Sequence, residues 1–230
     1  MFHFMEVART GVPMIVYVCS ATKAVVERGC EAASLGNVCV IEVDVSRMFV
    51  YGILMDSGLS MPENRSQMKD TREYMALMNS KVEFMKDAVL RDPYGTTHFA
   101  WLDFSVNYTF KDSVSVFSEL KTLGSFVPAR GLFVPGCWEN RGGTADSYCS
   151  YIRWRFCGGF FVGDKASLLR FYDTYVSWLP VFVSGTGCTT WEVNIWEWLE
   201  SNPLVGWSPV WYGGDHTDAL IMGLRRVIEK

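Results

Sequence analysis

The sequence holds no segment able to cross a bilayer as a helix, since its longest apolar runs, such as Val12 to Cys19, fall well short of the ~20 residues required. Met1 to Ala8 lacks the basic start and apolar stretch of a secretory signal. No run of Lys or Arg exists and the formal net charge is −4, so a nucleic-acid partner is not expected. Histidine is scarce, with three in 230 residues, and the seven cysteines include no C-x-x-C pair, so no zinc centre is signalled. The odd cysteine count also gives no disulfide framework. Cys137 and Cys149 could pair in an oxidising compartment, but free thiols in a reducing cytosol are the simpler expectation. The motifs G-x-S-x-G, H-E-x-x-H and the P-loop are missing, and no G-x-G-x-x-G follows the opening strand. Serine hydrolases, zincins and P-loop kinases are therefore disfavoured. A soluble, cytoplasmic protein is expected, with any bound anion held by a few placed donors.

What is present suits one large α/β domain over residues 1–230. Hydrophobic residues make up 49% and charged residues 20%, enough for a real core. The nine Trp are many; such rings stack on sugars and nucleobases, and they also fill ordinary cores. Val12 to Cys19 and Val38 to Val45 read as buried strands flanking a helix at Ala21 to Ala33, a β-α-β opening. Met75, Met78, Val82, Met85 and Val89 recur at helical spacing, predicting one helix over Thr71 to Leu90 with Asp70 as N-cap. His98 to Val106 reads as a central parallel strand interrupted only by Asp103. Gly131 to Pro135 and Tyr151 to Cys157 look like strands, and Trp138 to Ser150 like a mobile loop. A helix from Asp164 should end near Leu179, where Pro180 breaks it; another should span Thr190 to Glu200.

Five groups of residues could carry chemistry. Asp103 sits where a buried strand runs out, a place where open α/β sheets collect ligands and where a carboxylate can hold a hard cation; it could equally cap a turn or pair with a buried base. Gly158-Gly159 permits close approach of a ligand, or simply of another backbone. Glu192 could accept a proton from a sugar hydroxyl, yet Thr189 and Glu192 also fit a capping box. His216, between Asp215 and Asp218, suits a metal or a phosphate, or is a surface histidine. Lys81 beside the apolar stripe could reach a diphosphate or merely snorkel.

In order and spacing, Asn79-Ser-Lys-Val-Glu-Phe-Met85, His98-Phe-Ala-Trp-Leu-Asp-Phe-Ser105 and Arg155-Phe-Cys-Gly-Gly-Phe-Phe-Val-Gly163 resemble successive blocks of the HtrL/YibB-type glycosyltransferase-like family. Trp191-Glu-Val-Asn-Ile-Trp196 and Trp211-Tyr-Gly-Gly-Asp-His216 extend the resemblance, which covers roughly Glu63 to the C-terminus. The layout is similar to nucleotide-sugar glycosyltransferases of the GT-A fold, with their metal-binding D-x-D. That resemblance implies a three-layer α/β/α sandwich around a mixed, mostly parallel central sheet. It implies sugar transfer from a nucleotide-diphosphate donor to a glycan or other hydroxyl acceptor, assisted by Mn²⁺ or Mg²⁺. Asp103 and His216 would contact the metal. Lys81, Ser105, Gly158 and Gly159 would face the donor, and Glu192 would be the acid at the reacting sugar. Ser105 stands where the second acid of D-x-D is expected, a departure that also admits a nucleotide- or carbohydrate-binding protein without turnover.

Overall fold

The run Ile15-Val-Tyr-Val18 is β-branched or aromatic throughout, and it forms β1 (Met14–Val18) in the computed structural model, which describes residues 2–123 and 130–228. A short helix α1 (Phe2–Ala8) precedes it. Helix α2 (Ser20–Ala32) carries the chain back to β2 (Val38–Glu42), which pairs parallel with β1. Phe4, Val16, Val18, Val26 and Cys30 close a small core of their own between these elements. The β-α-β opening is thus realised.

The other strands form a second sheet in the order β3-β5-β4-β6: β3 (His98–Leu102), β5 (Phe160–Asp164), β4 (Leu132–Gly136) and β6 (Val210–Gly213). β5 runs antiparallel to both its neighbours, whereas β4 and β6 are parallel. The sheet is mixed and its pairs are not mostly parallel, and β3 is an edge strand within it rather than a central parallel one. The reason lies between β4 and β5. Only the short helix α7 (Ala145–Ser150) intervenes, no crossover helix carries the chain back along the sheet, and the next strand must reverse.

About half of the molecule is helical, and helices cover both faces of this sheet. Along β5 the side chains alternate: Phe161 faces one core with Phe171 and Trp196, while Phe160 and Val162 face another with Leu220 and Leu224. The first core is closed by α3 (Phe49–Leu54), α4 (Arg72–Asn79), α5 (Lys81–Arg91), α8 (Lys165–Thr186) and α9 (Glu192–Ser201). The second is closed by α6 (Ser113–Leu123) and α10 (Ala219–Ile228). Among the described residues no helix is long and apolar enough to cross a membrane.

Several local expectations are corrected. The single helix over Thr71 to Leu90 is two helices broken at Ser80. There Asn79 Nδ2 donates to the Met75 carbonyl and Ser80 Oγ to the Ala76 carbonyl, competing with the helical ladder. Thr71, not Asp70, caps α4; the Asp70 carboxylate accepts from the Ser66 amide instead. Pro180 does not end α8, which continues to Gly187 in the left-handed region: Pro180 lies on the exposed face while Phe182 beyond it is buried. Tyr151 to Cys157 is irregular rather than a strand.

The segment Trp138 to Ser150 is anchored, not a mobile loop. A capping box between Thr144 and Ser147 starts α7, Tyr148 is buried, and Cys149 is bonded to Cys188. The disulfide also corrects the expectation of free thiols throughout. Cys149 pairs with Cys188, because α7 packs beside the segment that leads into α9, and the partner is not Cys137.

Candidate functional site

The break at Ser80 turns three polar side chains inward, and from them the centre of the site is built. Asn79 donates to the Thr190 carbonyl at 2.9 Å and accepts from the Tyr175 hydroxyl, tying α4 to the segment before α9. Lys81, only 1% exposed, then reaches the far end of the sheet. Its ammonium lies 2.8 Å from Glu192 Oε1, 3.0 Å from Asp103 Oδ1 and 2.9 Å from the Gly158 carbonyl. One cation and two carboxylates leave this cluster with a formal charge of −1.

Register explains why Asp103 and the glycines meet. Leu102 pairs with Phe160, and the ladder runs one step further, with the Asp103 amide donating to the Gly159 carbonyl at 2.9 Å. A methyl group on Gly158 would fall onto Glu192 Oε1, whereas one on Gly159 would meet Val106 and Asp103 only at ordinary contact distance. Gly158 is therefore glycine because a carboxylate and the Lys81 ammonium occupy its side-chain space. Both glycines are buried, so neither lines an open sugar pocket as expected.

Burial opposes the charge on Lys81, but Asp103 and Glu192 outweigh it, and its pKa ends above the ordinary lysine value. With its protons directed at protein oxygens, Lys81 cannot also face a diphosphate, which corrects that expectation. Glu192 was expected either to cap α9 or to meet a sugar. Thr189 donates its hydroxyl to the Leu54 carbonyl, so no capping box forms, and the Glu192 side chain is 9% exposed against Lys81. Asp103 differs. Its Oδ1 accepts from the Trp101 indole at 2.6 Å, yet the side chain stays 33% exposed and Oδ2 is 3.4 Å from Lys81. Tyr74 lies near both acids, and its pKa is pushed up to about 12 by burial and then by Glu192.

Phe104, next to Asp103, faces a cavity of about 810 Å³ that sequence reasoning missed. The cavity lies beyond the carboxyl ends of β1 and β2, where Cys19, Ser20 and Thr22 open α2 and where Val43, Asp44 and Val45 follow β2. Tyr17, Phe84 and Leu77 form its inner wall. The rings of Tyr17 and Phe84 lie 4.9 Å apart, and Phe104 stacks on Phe4 at 5.1 Å. Asp44 is exposed and its carboxyl is held below the usual range by hydrogen bonds from the Ser46 hydroxyl and amide. The clue available in sequence was an acidic residue directly after the second strand of a β-α-β unit.

His216 sits on the loop after β6. Its ring meets the edge of Trp154 at 4.3 Å between centroids, and its Nε2 is buried without a hydrogen-bond partner among the described residues. Burial lowers its pKa, against the pull of Asp215 and then Asp103, so the neutral imidazole prevails at neutral pH. Asp218, its neighbour in sequence, is engaged elsewhere, accepting from the Lys111 and Asp112 amides before α6. Ser105 is exposed at the start of the 3₁₀ turn Val106–Thr109. Among the described residues no group of three or more His, Cys, Asp and Glu side chains could hold a metal ion by itself. The available donors are the open edge of Asp103 and the orphaned His216 nitrogen. Each is a side chain of a type that can ligate a divalent cation.

The structure thus brings Lys81, Asp103, Gly158, Gly159 and Glu192 into one cluster and leaves Ser105 at the surface beyond it. Compared with protein-family models, with curated proteins and with solved structures, the chain has no significant match.

Proposed function

We propose that this chain is a nucleotide-sugar glycosyltransferase, with its helix–sheet–helix arrangement of the GT-A type. One observation carries the reading: a large cavity beyond the carboxyl ends of a parallel strand pair, lined in part by Phe104, the residue that follows the half-open carboxylate Asp103. The aromatic wall suits a nucleobase, and Asp44 suits ribose hydroxyls. The amide groups opening α2 favour phosphate oxygens. Asp103 and His216 would hold a Mn²⁺ or Mg²⁺ ion together with diphosphate oxygens, and when bound that ion neutralises charge on the departing diphosphate. Lys81 acts from beneath. It fixes the Asp103 carboxylate in place and holds the buried Glu192 side chain by an ion pair. Glu192 then sets the field at the reacting sugar and stabilises developing positive charge there. The acceptor is a glycan or another hydroxyl-bearing molecule.

A second reading is favoured by one specific contact. Lys81 pairs with both expected acids, and a protein that binds nucleotide sugars without turnover needs no more than that. Donor hydrolysis separates the two. Slow, metal-dependent release of nucleoside diphosphate supports the transferase; binding of the same donor without release supports the binding protein. Absence of both binding and release refutes each.

A further inference from the structure

We infer that a second cleft, walled by the segment between β4 and β5, takes the acceptor as an uncharged sugar end; the word acceptor rests on the transferase reading, the sugar specificity on the cleft itself. Trp138, Tyr151 and Trp154, with Glu139, Arg141 and Arg153, line a depression of about 250 Å³, room for a sugar ring rather than a whole nucleotide. Trp138 is 54% exposed and Tyr151 49%, so two large flat rings stand in water at its rim. Such faces match the C–H faces of a pyranose.

Trp154 links this cleft to the first site. It is a bulky residue at φ +55°, a left-handed conformation that a tryptophan adopts only when its surroundings impose it. The surroundings are rigid. The Arg153 guanidinium clamps Glu197 at 2.6 Å, that of Arg155 clamps Glu200 at 2.6 Å, and the Trp154 carbonyl accepts from the Cys137 amide at 3.1 Å. The strained turn holds the indole against His216 on one side while it lines the cleft on the other. A sugar in the cleft therefore lies one aromatic ring from the His216 imidazole.

Charge decides the class of sugar. Arg153 and Arg155 are neutralised by their own glutamates, and Arg141 lies over Trp138 at 5.8 Å with Glu139 on the same wall. With acids and bases balanced, a phosphate or a uronate gains little. Paired donor and acceptor edges between aromatic faces suit vicinal hydroxyls.

Saturation-transfer NMR on the full chain tests this, using methyl glycosides of glucose, galactose, mannose and N-acetylglucosamine, with glucuronic acid and a short uncharged peptide as separate arms. At least one neutral glycoside should give transfer. The Trp138→Ala/Tyr151→Ala variant should weaken it by roughly tenfold or more, Arg141→Ala should weaken it less, and Trp138→Phe should largely retain it. Both rings are half exposed, so these variants should keep the circular dichroism of the parent. Transfer from none of the neutral glycosides, from glucuronic acid or the peptide alone, or undiminished by the double substitution overturns the inference. A nucleotide sugar that raises the Tm while no glycoside binds refutes the cleft and spares the transferase. Glycoside binding with no donor binding does the reverse.

Discussion

Replacing Lys81 with methionine should be among the most damaging single substitutions in this protein. The new side chain has similar length and fills the same buried channel, so the change removes charge with little change in volume. It strands Glu192, whose side chain is 9% exposed, and leaves the Gly158 carbonyl without its donor. Breaking a buried ion pair from one side costs about 3–5 kcal/mol. For a chain of this size each kcal/mol moves the Tm by roughly 2–4 °C, so a fall of roughly 6–20 °C is expected. Adding Glu192→Gln should return a good part of the loss, because a buried amide needs no counter-charge. Adding Asp103→Asn should return less, since Asp103 is 33% exposed and water already solvates it. Thermal unfolding of the three variants followed by circular dichroism is the assay. A Lys81→Met protein that melts within a degree or so of the parent would refute the reasoning, as would a Glu192→Gln addition that lowers the Tm further.

Gly158→Ala should destabilise by about 1–3 kcal/mol, because its methyl group collides with the Glu192 carboxylate, while Gly159→Ala should cost less than half as much; denaturant titration of both gives the comparison. Cys149 and Cys188 are 39 residues apart, so opening their disulfide should cost about 4 kcal/mol on loop entropy, read as a fall in Tm on adding reductant that is absent in Cys149→Ser/Cys188→Ser. His216 has a folded-state pKa below its unfolded one. The unfolded chain therefore binds the proton first, and the stability held by neutral His216 is complete above about pH 6.5 and declines as pH falls below it. His216→Gln should flatten that part of the stability-against-pH curve, and an unchanged slope would contradict the assignment.

The parts of the fold legible in sequence are those where one pattern dominates. Ile15 to Val18 and Val38 to Ile41 are dominated by β-branched apolar residues, and the stripe from Met75 to Val89 has no competing period. What escaped was decided by contacts distant along the chain. The break at Ser80 comes from side chains that bond to the previous turn, and its purpose appears only when Lys81 meets Glu192, 111 residues away. Pro180 marks a helix end by local rules, but burial of Phe182 outweighs the lost hydrogen bond. The antiparallel run of β5 follows from a connection without a crossover helix, which residue patterns do not reveal. For the site, Asp103 was legible because a lone acid in an apolar strand needs a reason. Lys81 reads either as a snorkelling side chain or, by the family resemblance, as a diphosphate contact, because its burial cannot be read from spacing. The cavity at β1 and β2 escapes sequence reasoning because Val18 and Val45 in its wall read as parts of buried strands.

The central proposal, that a nucleotide sugar occupies the cavity lined by Asp44 and Phe104 and extends to Asp103, is tested most directly by thermal-shift screening of nucleotide sugars with and without Mn²⁺. Each donor is to be run on the parent, on Asp44→Ala and on Asp103→Ala. A donor at a hundredfold excess over its Kd should add about 2.7 kcal/mol to the folded state, a rise of roughly 5–11 °C. That rise should shrink in both variants, and its enhancement by Mn²⁺ should vanish in Asp103→Ala. No rise with any donor, or a rise that both variants retain in full, would contradict the account.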